Sequence, residues 1–319
     1  MAQRRREREL SDVLVRTPTV ALYGVRLLAE GLAFPEGPVA MSDGSVVVVE
    51  MLGGRLSRID PRGIVSTLCV TGGGPNGAAV GPDGAIYVCN NGGRSPGERR
   101  TPSIQRVDPD TGSLDVLYTS CDGVPFSSPN DLVFDVDGGF WFTDFRGASI
   151  LYARADGSRI ERVISDADHP NGIGLSPDGT TLYWAQTFRR QVIRRRLTGF
   201  GSLEKTRGYD IATALYGGGG DPSGLLCGLG GAQELDSLAV AADGSVCVGT
   251  LVESGITVIS PDGRHVVRHV LPPELDDVAV TNLCFGGPGL GTAFITLSQT
   301  GRIVSCPWPT PGHRLAFGR

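Results

Sequence analysis

The sequence runs Asn171-Gly-Ile-Gly-Leu-Ser-Pro-Asp178-Gly179 just before the apolar segment Leu182-Tyr183-Trp184. Asp-Gly between two apolar segments is a strong hairpin signal, because glycine accepts the positive φ that tight turns require. An asparagine stands seven residues before the aspartate of this turn. The same arrangement returns four more times, always with a carboxylate or carboxamide at that position: Glu36 before Asp43, Asn76 before Asp83, Asn130 before Asp137, and Asp236 before Asp243.

The spacing of these copies indicates a repeat architecture. They start at residues 36, 76, 130, 171 and 236, and the intervals bracket the roughly 40–50 residues of a four-stranded propeller blade. A sixth, degenerate unit begins at Asn282 and reaches the end of the chain before a full set of strands. The segment 21–28 could supply the missing outer strand. We therefore predict an all-β, six-bladed β-propeller closed by an N-terminal strand.

The domain organisation follows from this ring. We expect residues 1–19 to be a flexible charged tail, residues 20–310 to form a single propeller domain, and residues 311–319 to be a C-terminal tail. Glycine and proline supply 47 and 21 of the 319 residues, which leaves little room for long helices.

Composition excludes some classes of partner. The net charge is −5 and the basic residues are scattered, so no positive face follows a nucleic-acid backbone. The apolar runs end after a few residues, far short of the roughly 20 that a membrane span needs. Seven cysteines, an odd number without a Cys-x-x-Cys pair, favour reduced thiols and a cytoplasmic protein. The sequence does not predict an oligomeric state.

The repeat also makes a functional prediction. The first strand of each propeller blade lines the central channel, so residues at a fixed distance before the hairpin turn lie at one height. We expect a ring of two carboxylates and three carboxamides: Glu36, Asn76, Asn130, Asn171 and Asp236. Converging oxygen ligands suit a hard divalent cation, Ca²⁺ first, with Mg²⁺, Mn²⁺ or Zn²⁺ as substitutes. The five turn aspartates, in contrast, are expected to be structural.

Other catalytic patterns are missing from the sequence. Its Gly-x-Ser-x-Gly match, Gly93-Arg94-Ser95-Pro96-Gly97, has a proline after the serine and no helix-forming segment behind it, so it does not predict a nucleophile elbow. Its four histidines do not form a His-x-x-x-His motif on a helix. His169 stands two residues before Asn171, so it could lie near the ion and contact substrate. Asn76 and Asn130 are the other predicted substrate contacts.

These residues resemble the SMP-30/gluconolactonase/LRE family of six-bladed propellers, which mostly hydrolyse lactones with one bound divalent metal. The resemblance covers about residues 30 to 300. It rests on four signatures: Phe34-Pro-Glu36-Gly-Pro38, Ser128-Pro-Asn130-Asp131 with Phe140-Trp-Phe-Thr-Asp144, His169-Pro-Asn171-Gly172 with Ser176-Pro-Asp-Gly179, and Leu235-Asp236.

The resemblance implies roles for individual residues. Glu36, Asn171 and Asp236 would bind the metal, and Asn130 would touch metal or substrate. Asp236 would also transfer a proton, which makes it the predicted catalytic residue. The implied activity is hydrolysis of a small-molecule lactone or ester at the mouth of the channel.

One position departs from the family pattern. Sugar-lactone members often carry an arginine where this chain has Ser128, which argues against a preference for aldonolactones. Phe126, Phe145 and Trp184 would suit a less polar substrate if they face the mouth.

Two alternatives stay open at this point. A biosynthetic propeller enzyme could use the same scaffold for isomerisation or condensation, and a strictosidine-synthase-like member would use a glutamate base without metal. The second alternative is a non-catalytic propeller that binds a ligand. The glycine-rich segment 216–232 is either a surface loop or a mobile lid.

Overall fold

A computed structural model of the chain describes residues 17–93, 99–204 and 224–318. Nearly all regular structure in these ranges is β, with two single-turn 3₁₀ segments at Pro273–Leu275 and Pro288–Leu290. A short hairpin joins Ser120–Cys121 to Val124–Pro125. The described segments of the repeat form six antiparallel sheets, as predicted for a propeller.

Each sheet is a blade whose strands follow one another in sequence from the centre outwards. Blade 1 consists of Pro35–Ala40, Val46–Glu50, Arg55–Ile59 and Val65–Val70. Blade 2 consists of Pro75–Val80, Ile86–Asn90, Ser103–Val107 and Leu114–Tyr118. Blade 3 consists of Pro129–Phe134, Gly139–Asp144, Ser149–Arg154 and Ile160–Ile164.

The second half of the chain repeats this plan with additions. Blade 4 consists of Pro170–Leu175, Thr181–Gln186 and Gln191–Gly199, with Ser202–Leu203 and Leu225–Gly228 both paired to its third strand. Blade 5 consists of Gln233–Val240, Val246–Val252, Gly255–Ile259 and Val266–Val270. Blade 6 consists of Val280–Gly286, Thr292–Leu297 and Arg302–Pro307.

The N-terminal segment closes the ring, as the sequence predicted. Arg26–Ala29 pairs antiparallel with Arg302–Pro307 and becomes the fourth strand of blade 6. The preceding strand Thr19–Ala21 instead adds to blade 5, where it runs parallel to Val266–Val270. The first described residues are therefore shared between two blades, and Arg26–Ala29 forms the outermost strand of blade 6.

The Asp-Gly turns sit where the repeat placed them. The glycines of all five turns have positive φ, from 67° at Gly179 to 84° at Gly244. The aspartate commonly accepts a hydrogen bond from the amide two residues on, as Asp43 does from Ser45 and Asp243 does from Ser245, both at 2.9 Å. These aspartates act as turn residues.

Apolar side chains between adjacent blades form the core. The second strands are the most deeply buried: every residue of Val46–Glu50, Ile86–Asn90 and Gly139–Asp144 is buried. Burial on both faces explains why these strands are nearly continuous runs of β-branched and aromatic residues.

The two ends of the ring differ in what covers them. We call the end where the inner strands begin, together with the connections between second and third strands, the upper face. The end that carries the Asp-Gly turns is the lower face. A cavity of about 630 Å³ runs along the axis from Gly37, Asp131 and Asn282 to the lower face.

Residues 311–318, which belong to the segment predicted as a C-terminal tail, lie across the lower face. Gly312 forms a bridge with Ala241, and the His313 amide donates to the Val240 carbonyl at 2.9 Å. Phe317 packs against Phe134 with ring centroids 5.9 Å apart. His313, Arg314 and Leu315 also line the axial cavity.

All seven cysteines are free thiols, and five of them are buried. In the described ranges, no helix has the length and apolar character required to cross a membrane.

Candidate functional site

Each inner strand is bulged at the residue that the repeat singled out. In blade 4 the pairing steps from Pro170↔Gln186 to Ile173↔Trp184, so three residues of the inner strand oppose two of its neighbour. The other inner strands show register shifts at the matching points. Because a bulge re-aims side chains, six equivalent bulges give the start of each strand a common local geometry.

The bulges define two sets of equivalent positions. The first ring holds the five predicted residues and a threonine from blade 6: Glu36, Asn76, Asn130, Asn171, Asp236 and Thr281. The second ring holds the residues that follow: Gly37, Gly77, Asp131, Gly172, Ser237 and Asn282. The sixth unit was therefore predicted one residue out of register, since Thr281 and not Asn282 is the equivalent of the other five. Blade 6 has no Asp-Gly turn from which to count.

Glycines in the second ring let adjacent blades approach closely. A Cβ at Gly172 would lie 2.3 Å from the Leu238 amide nitrogen, and one at Gly37 would lie 2.4 Å from the Asn76 carbonyl oxygen. At Gly77 the Cβ would meet Asp131 Oδ1 at 2.4 Å. The missing side chains bring the inner strands, and the polar groups that they carry, into one compact centre.

Glu36 is buried in this centre. Its Oε2 accepts two hydrogen bonds of 3.2 Å, one from the side-chain amide of Asn282 and one from the backbone amide of Gly37. Burial raises the pKa of Glu36 to about 7, although the hydrogen bonds from Thr281 and Asn282 lower it. A carboxyl group with this pKa changes charge near neutral pH.

Two further carboxyl groups lie within electrostatic reach of Glu36. Burial, and then the Glu36 charge, raise the pKa of Asp236 well above its usual range, while a hydrogen bond from Asn171 lowers it. Burial raises the pKa of Asp131 to about 7, against the opposing Leu132 amide hydrogen bond. The residues predicted as metal ligands on blades 1, 4 and 5 thus come together, and Asp131 joins them.

The ring asparagines present unused acceptors. Asn171 donates its side-chain amide to Thr187 Oγ1 at 3.1 Å, but its Oδ1 accepts no hydrogen bond from any described residue. The buried Oδ1 of Asn130 likewise has no donor among the described residues. A buried amide oxygen without a partner is costly, so both oxygens favour an additional electropositive group at this point.

The donor set fits a hard divalent cation. Carboxylates that repel one another and amide oxygens that lack donors are the chemistry that such an ion satisfies. Within the described ranges, no three His, Cys, Asp or Glu side chains group closely enough to hold a metal by themselves. A metal here would therefore depend on the asparagine oxygens as well as on the carboxylates.

His169 lies on the upper face, at the start of blade 4. Its Nδ1 is 2.6 Å from Asp168 Oδ1, and Arg189 Nε donates to the other oxygen of Asp168, also at 2.6 Å. Its ring packs edge-on against Phe145 and Phe188. His169 also has a φ of 45°, a left-handed conformation that is uncommon for any residue other than glycine.

Asn76, the remaining predicted substrate contact, is buried and its amide lies 3.9 Å from the Met51 sulfur. Of the three aromatic residues predicted as candidates for the mouth, Phe126 and Trp184 are buried in the core. Phe145 follows the second strand of blade 3 and so reaches the upper face.

Sequence reasoning missed Asp131, Asp168 and Phe188. Asp131 follows a ring residue in a strand, where alternation predicts that it points elsewhere, and only the bulge overturns that expectation. Asp168 and Phe188 lie in connections outside the repeat, so no periodic signal marks them. Of the segment 216–232, residues 216–223 lie outside the described ranges, and the rest includes the strand Leu225–Gly228.

Six bulged inner strands around a central set of carboxyl and amide groups define a six-bladed β-propeller with a polar centre. Residues 34–299 match the family described as SMP-30/Gluconolactonase/LRE-like region. The chain belongs to this family.

Curated relatives are named as lactonases. A gluconolactonase of Zymomonas mobilis is 28% identical over 194 residues, which is 52% of this chain and 52% of that protein, so the match spans about half of its length. Lactonase drp35 of Staphylococcus aureus strain MW2 is 25% identical over 297 residues, covering 87% of this chain and 84% of the relative.

Solved structures share the fold. A gluconolactonase from Xanthomonas campestris superposes with a TM-score of 0.72 at 24% identity, over 91% of this chain and 92% of that one. The calcium-binding protein regucalcin from Agrobacterium tumefaciens gives a TM-score of 0.74 at 18% identity, over 95% and 100% of the two chains. At these identities, the likeness is evidence for the propeller alone.

Proposed function

We propose that this protein is a divalent-metal-dependent lactonase that opens a cyclic ester at the upper end of the propeller axis. The observation that carries the proposal is the buried group of Glu36, Asp236 and Asp131 beside the unpartnered amide oxygens of Asn130 and Asn171. The curated lactonases among its relatives support the choice of substrate.

Glu36, Asn130, Asn171 and Asp236 would hold the ion, with Ca²⁺ as the first candidate and Mg²⁺, Mn²⁺ or Zn²⁺ as others. When bound, a divalent ion supplies Lewis acidity, which polarises an ester carbonyl and stabilises the oxyanion that develops on it. The Asn282 side-chain amide donates to the Glu36 carboxylate and fixes its orientation. The Thr187 hydroxyl accepts a hydrogen bond from the Asn171 side-chain nitrogen, which leaves the Asn171 Oδ1 available as a ligand.

Asp236 is the proposed proton acceptor. As a proposed ligand it would stand beside the ion, within reach of a water that attacks the polarised carbonyl. It would take a proton from the attacking water as the water oxygen bonds to the carbonyl carbon. It would return that proton to the ring oxygen as the carbon–oxygen bond of the ring breaks.

The remaining predicted roles concern substrate contact and location. Asn76, Asn130 and His169 are proposed to contact the lactone. Seven free thiols favour a reducing compartment such as the cytoplasm.

Metal binding and turnover are tested separately. Chelator-treated protein is titrated with Ca²⁺, Mg²⁺, Mn²⁺ and Zn²⁺ while the melting temperature and the heat of binding are measured. Each preparation is then assayed on aldonolactones, aromatic lactones and simple esters. Variants Glu36→Gln, Asn171→Ala and Asp236→Asn are compared with Glu274→Gln, which alters an exposed carboxylate that belongs to neither ring.

We expect one ion to raise the melting temperature of the wild type and of the Glu274→Gln control, but not of the Glu36→Gln or Asn171→Ala variants. Asp236→Asn should lose turnover of the lactones. Equal metal binding by all the variants would contradict the proposed ligand set. Tight metal binding without hydrolysis of any lactone or ester would contradict the lactonase and favour a biosynthetic or ligand-binding propeller.

A further inference from the structure

Three aromatic rings meet on the upper face beside the rings of polar residues. The centroids of Phe145 and His169 are 5.1 Å apart, those of His169 and Phe188 are 4.8 Å apart, and those of Phe145 and Phe188 are 6.0 Å apart. All three pairs are edge-to-face, the arrangement that aromatic rings prefer. We call Phe145, His169 and Phe188 the aromatic shelf.

Backbone contacts tie the shelf to the candidate site. The Phe145 amide donates to the Ser128 carbonyl at 2.9 Å, two residues before Asn130. The Thr187 amide donates to the His169 carbonyl at 3.3 Å, and the Thr187 hydroxyl holds the Asn171 side chain. Phe188 follows Thr187 directly. The shelf is therefore built from the same connections that position Asn130 and Asn171.

The shelf is held by hydrogen bonds to its imidazole and is open to solvent. Asp168 fixes the imidazole, Arg189 fixes Asp168, and the left-handed backbone at His169 sets the direction of its side chain. Phe188 is nevertheless 55% exposed. Two other described aromatic residues are comparably exposed, Tyr23 and Phe200, and neither belongs to a described ring cluster.

Preorganised apolar surface next to converging polar groups is the usual composition of a small-molecule site. Polar groups orient the reacting part of a ligand, and apolar surface contributes affinity when water leaves it. A polyhydroxylated lactone would lose hydration against the two phenyl rings, which offer it no hydrogen bond. A ring or hydrocarbon chain would instead gain edge-to-face or dispersion contacts.

We infer that the aromatic shelf binds an apolar, preferentially aromatic, substituent of the lactone, and that it makes the protein selective for such lactones over sugar lactones. The inference rests on the proposed lactonase function and adds the substrate class to it.

The test compares matched lactones that differ only in the substituent. Values of kcat/KM are measured for γ-phenyl-γ-butyrolactone and γ-butyrolactone, with D-galactono-γ-lactone as the polar comparison on the same ring size. The variants are Phe145→Ala and Phe188→Ala. The control is Phe200→Ala, which removes a phenylalanine of the same blade that is 52% exposed, on the opposite end of its third strand.

We expect kcat/KM of the wild type to be about tenfold or more higher for the phenyl lactone than for either of the others, because burying the phenyl ring stabilises the bound state by an amount that corresponds to such a ratio. Phe188→Ala and Phe145→Ala should each reduce the ratio of phenyl to unsubstituted kcat/KM severalfold, mainly through KM. Phe200→Ala should keep the wild-type ratio. A preference for the sugar lactone, or an unchanged ratio in both shelf variants, would overturn the inference.

Failure of the proposed function gives a different result. If no lactone is hydrolysed, binding of γ-phenyl-γ-butyrolactone is measured by calorimetry for the wild type and the three variants. Affinity that falls at least about fivefold in Phe188→Ala but not in Phe200→Ala would support the shelf as a ligand site without the lactonase. No binding, or equal binding by all four proteins, would overturn it.

Discussion

The side-chain amide of Asn282 donates a hydrogen bond of 3.2 Å to Oε2 of Glu36, and so joins two residues 246 positions apart in the chain. The bond connects blade 6 to blade 1, the two blades that must meet for the ring to close. It also fixes one of the carboxylates that we propose as a metal ligand. This contact therefore contributes both to the closure of the ring and to the orientation of the site.

Replacing Asn282 by alanine should reveal both roles. In metal-free protein at pH 8, we expect the free energy of unfolding to fall by about 2 kcal/mol, because a hydrogen bond to a charged acceptor is lost. At pH 5, where Glu36 is largely protonated, the loss should be closer to about 1 kcal/mol. Urea denaturation at the two pH values measures the difference. An equal loss at both would mean that Asn282 acts only through packing.

Stability without metal should depend on pH in an unusual direction. The folded pKa of Glu36 and of Asp131 is about 7, above the ordinary values of 4.5 and 3.8. Between those limits the folded state binds more protons than the unfolded state, so these groups lower stability as the pH rises from about 4 to about 7. Added Ca²⁺ should reduce this loss, because it binds the deprotonated carboxylates.

The Asp131→Asn variant isolates one of these groups. We expect it to be more stable than the wild type in chelator at pH 8, and its stability to fall less between pH 5 and pH 8. Glu274→Gln serves as the exposed control and should keep the wild-type slope. Parallel stability curves for the wild type and Asp131→Asn would show that this carboxyl group is not the source of the pH dependence.

Gly172 should tolerate no side chain. A Cβ there would lie 2.3 Å from the Leu238 amide nitrogen of the next blade, which is backbone and cannot turn away. We expect Gly172→Ala to lower the free energy of unfolding by about 3 kcal/mol or more. Gly199→Ala is the matched control, since no atom lies within 4 Å of its Cβ, and it should change stability by less than about 1 kcal/mol. Thermal or urea unfolding of both variants measures the two losses of stability. Equal losses would show that the close approach of blades 4 and 5 is not the reason for a glycine at position 172.

The C-terminal residues should contribute to stability. Phe317 is half-buried and packs edge-on against Phe134 at the lower face. We expect Phe317→Ala to cost about 1–2 kcal/mol, measured as a lower urea midpoint with an unchanged slope. Leu315→Ala, which alters a side chain that is 51% exposed in the same segment, should cost less than about 0.5 kcal/mol. Equal effects would assign the stability to the segment's backbone contacts.

The repeat in the sequence determined the architecture of this protein and the identity of the first ring. Five Asp-Gly turns, each seven residues after an oxygen-bearing side chain, predicted blades, strand order and the place of Glu36, Asn76, Asn130, Asn171 and Asp236. Such features are encoded locally, because turn chemistry and strand alternation depend on neighbours in the chain. The N-terminal closing strand was predicted from the same count.

Tertiary structure decided the second ring and the shelf. Asp131 joins the other carboxyl groups only because the strand bulges. In blade 6, the pairing of Val280–Gly286 with Thr292–Leu297 sets the register and places Thr281, not Asn282, in the first ring. Phe188 and Asp168 meet His169 across connections that carry no repeat. Contacts of this kind depend on the spacing and tilt of separate blades, and a linear pattern does not contain those distances.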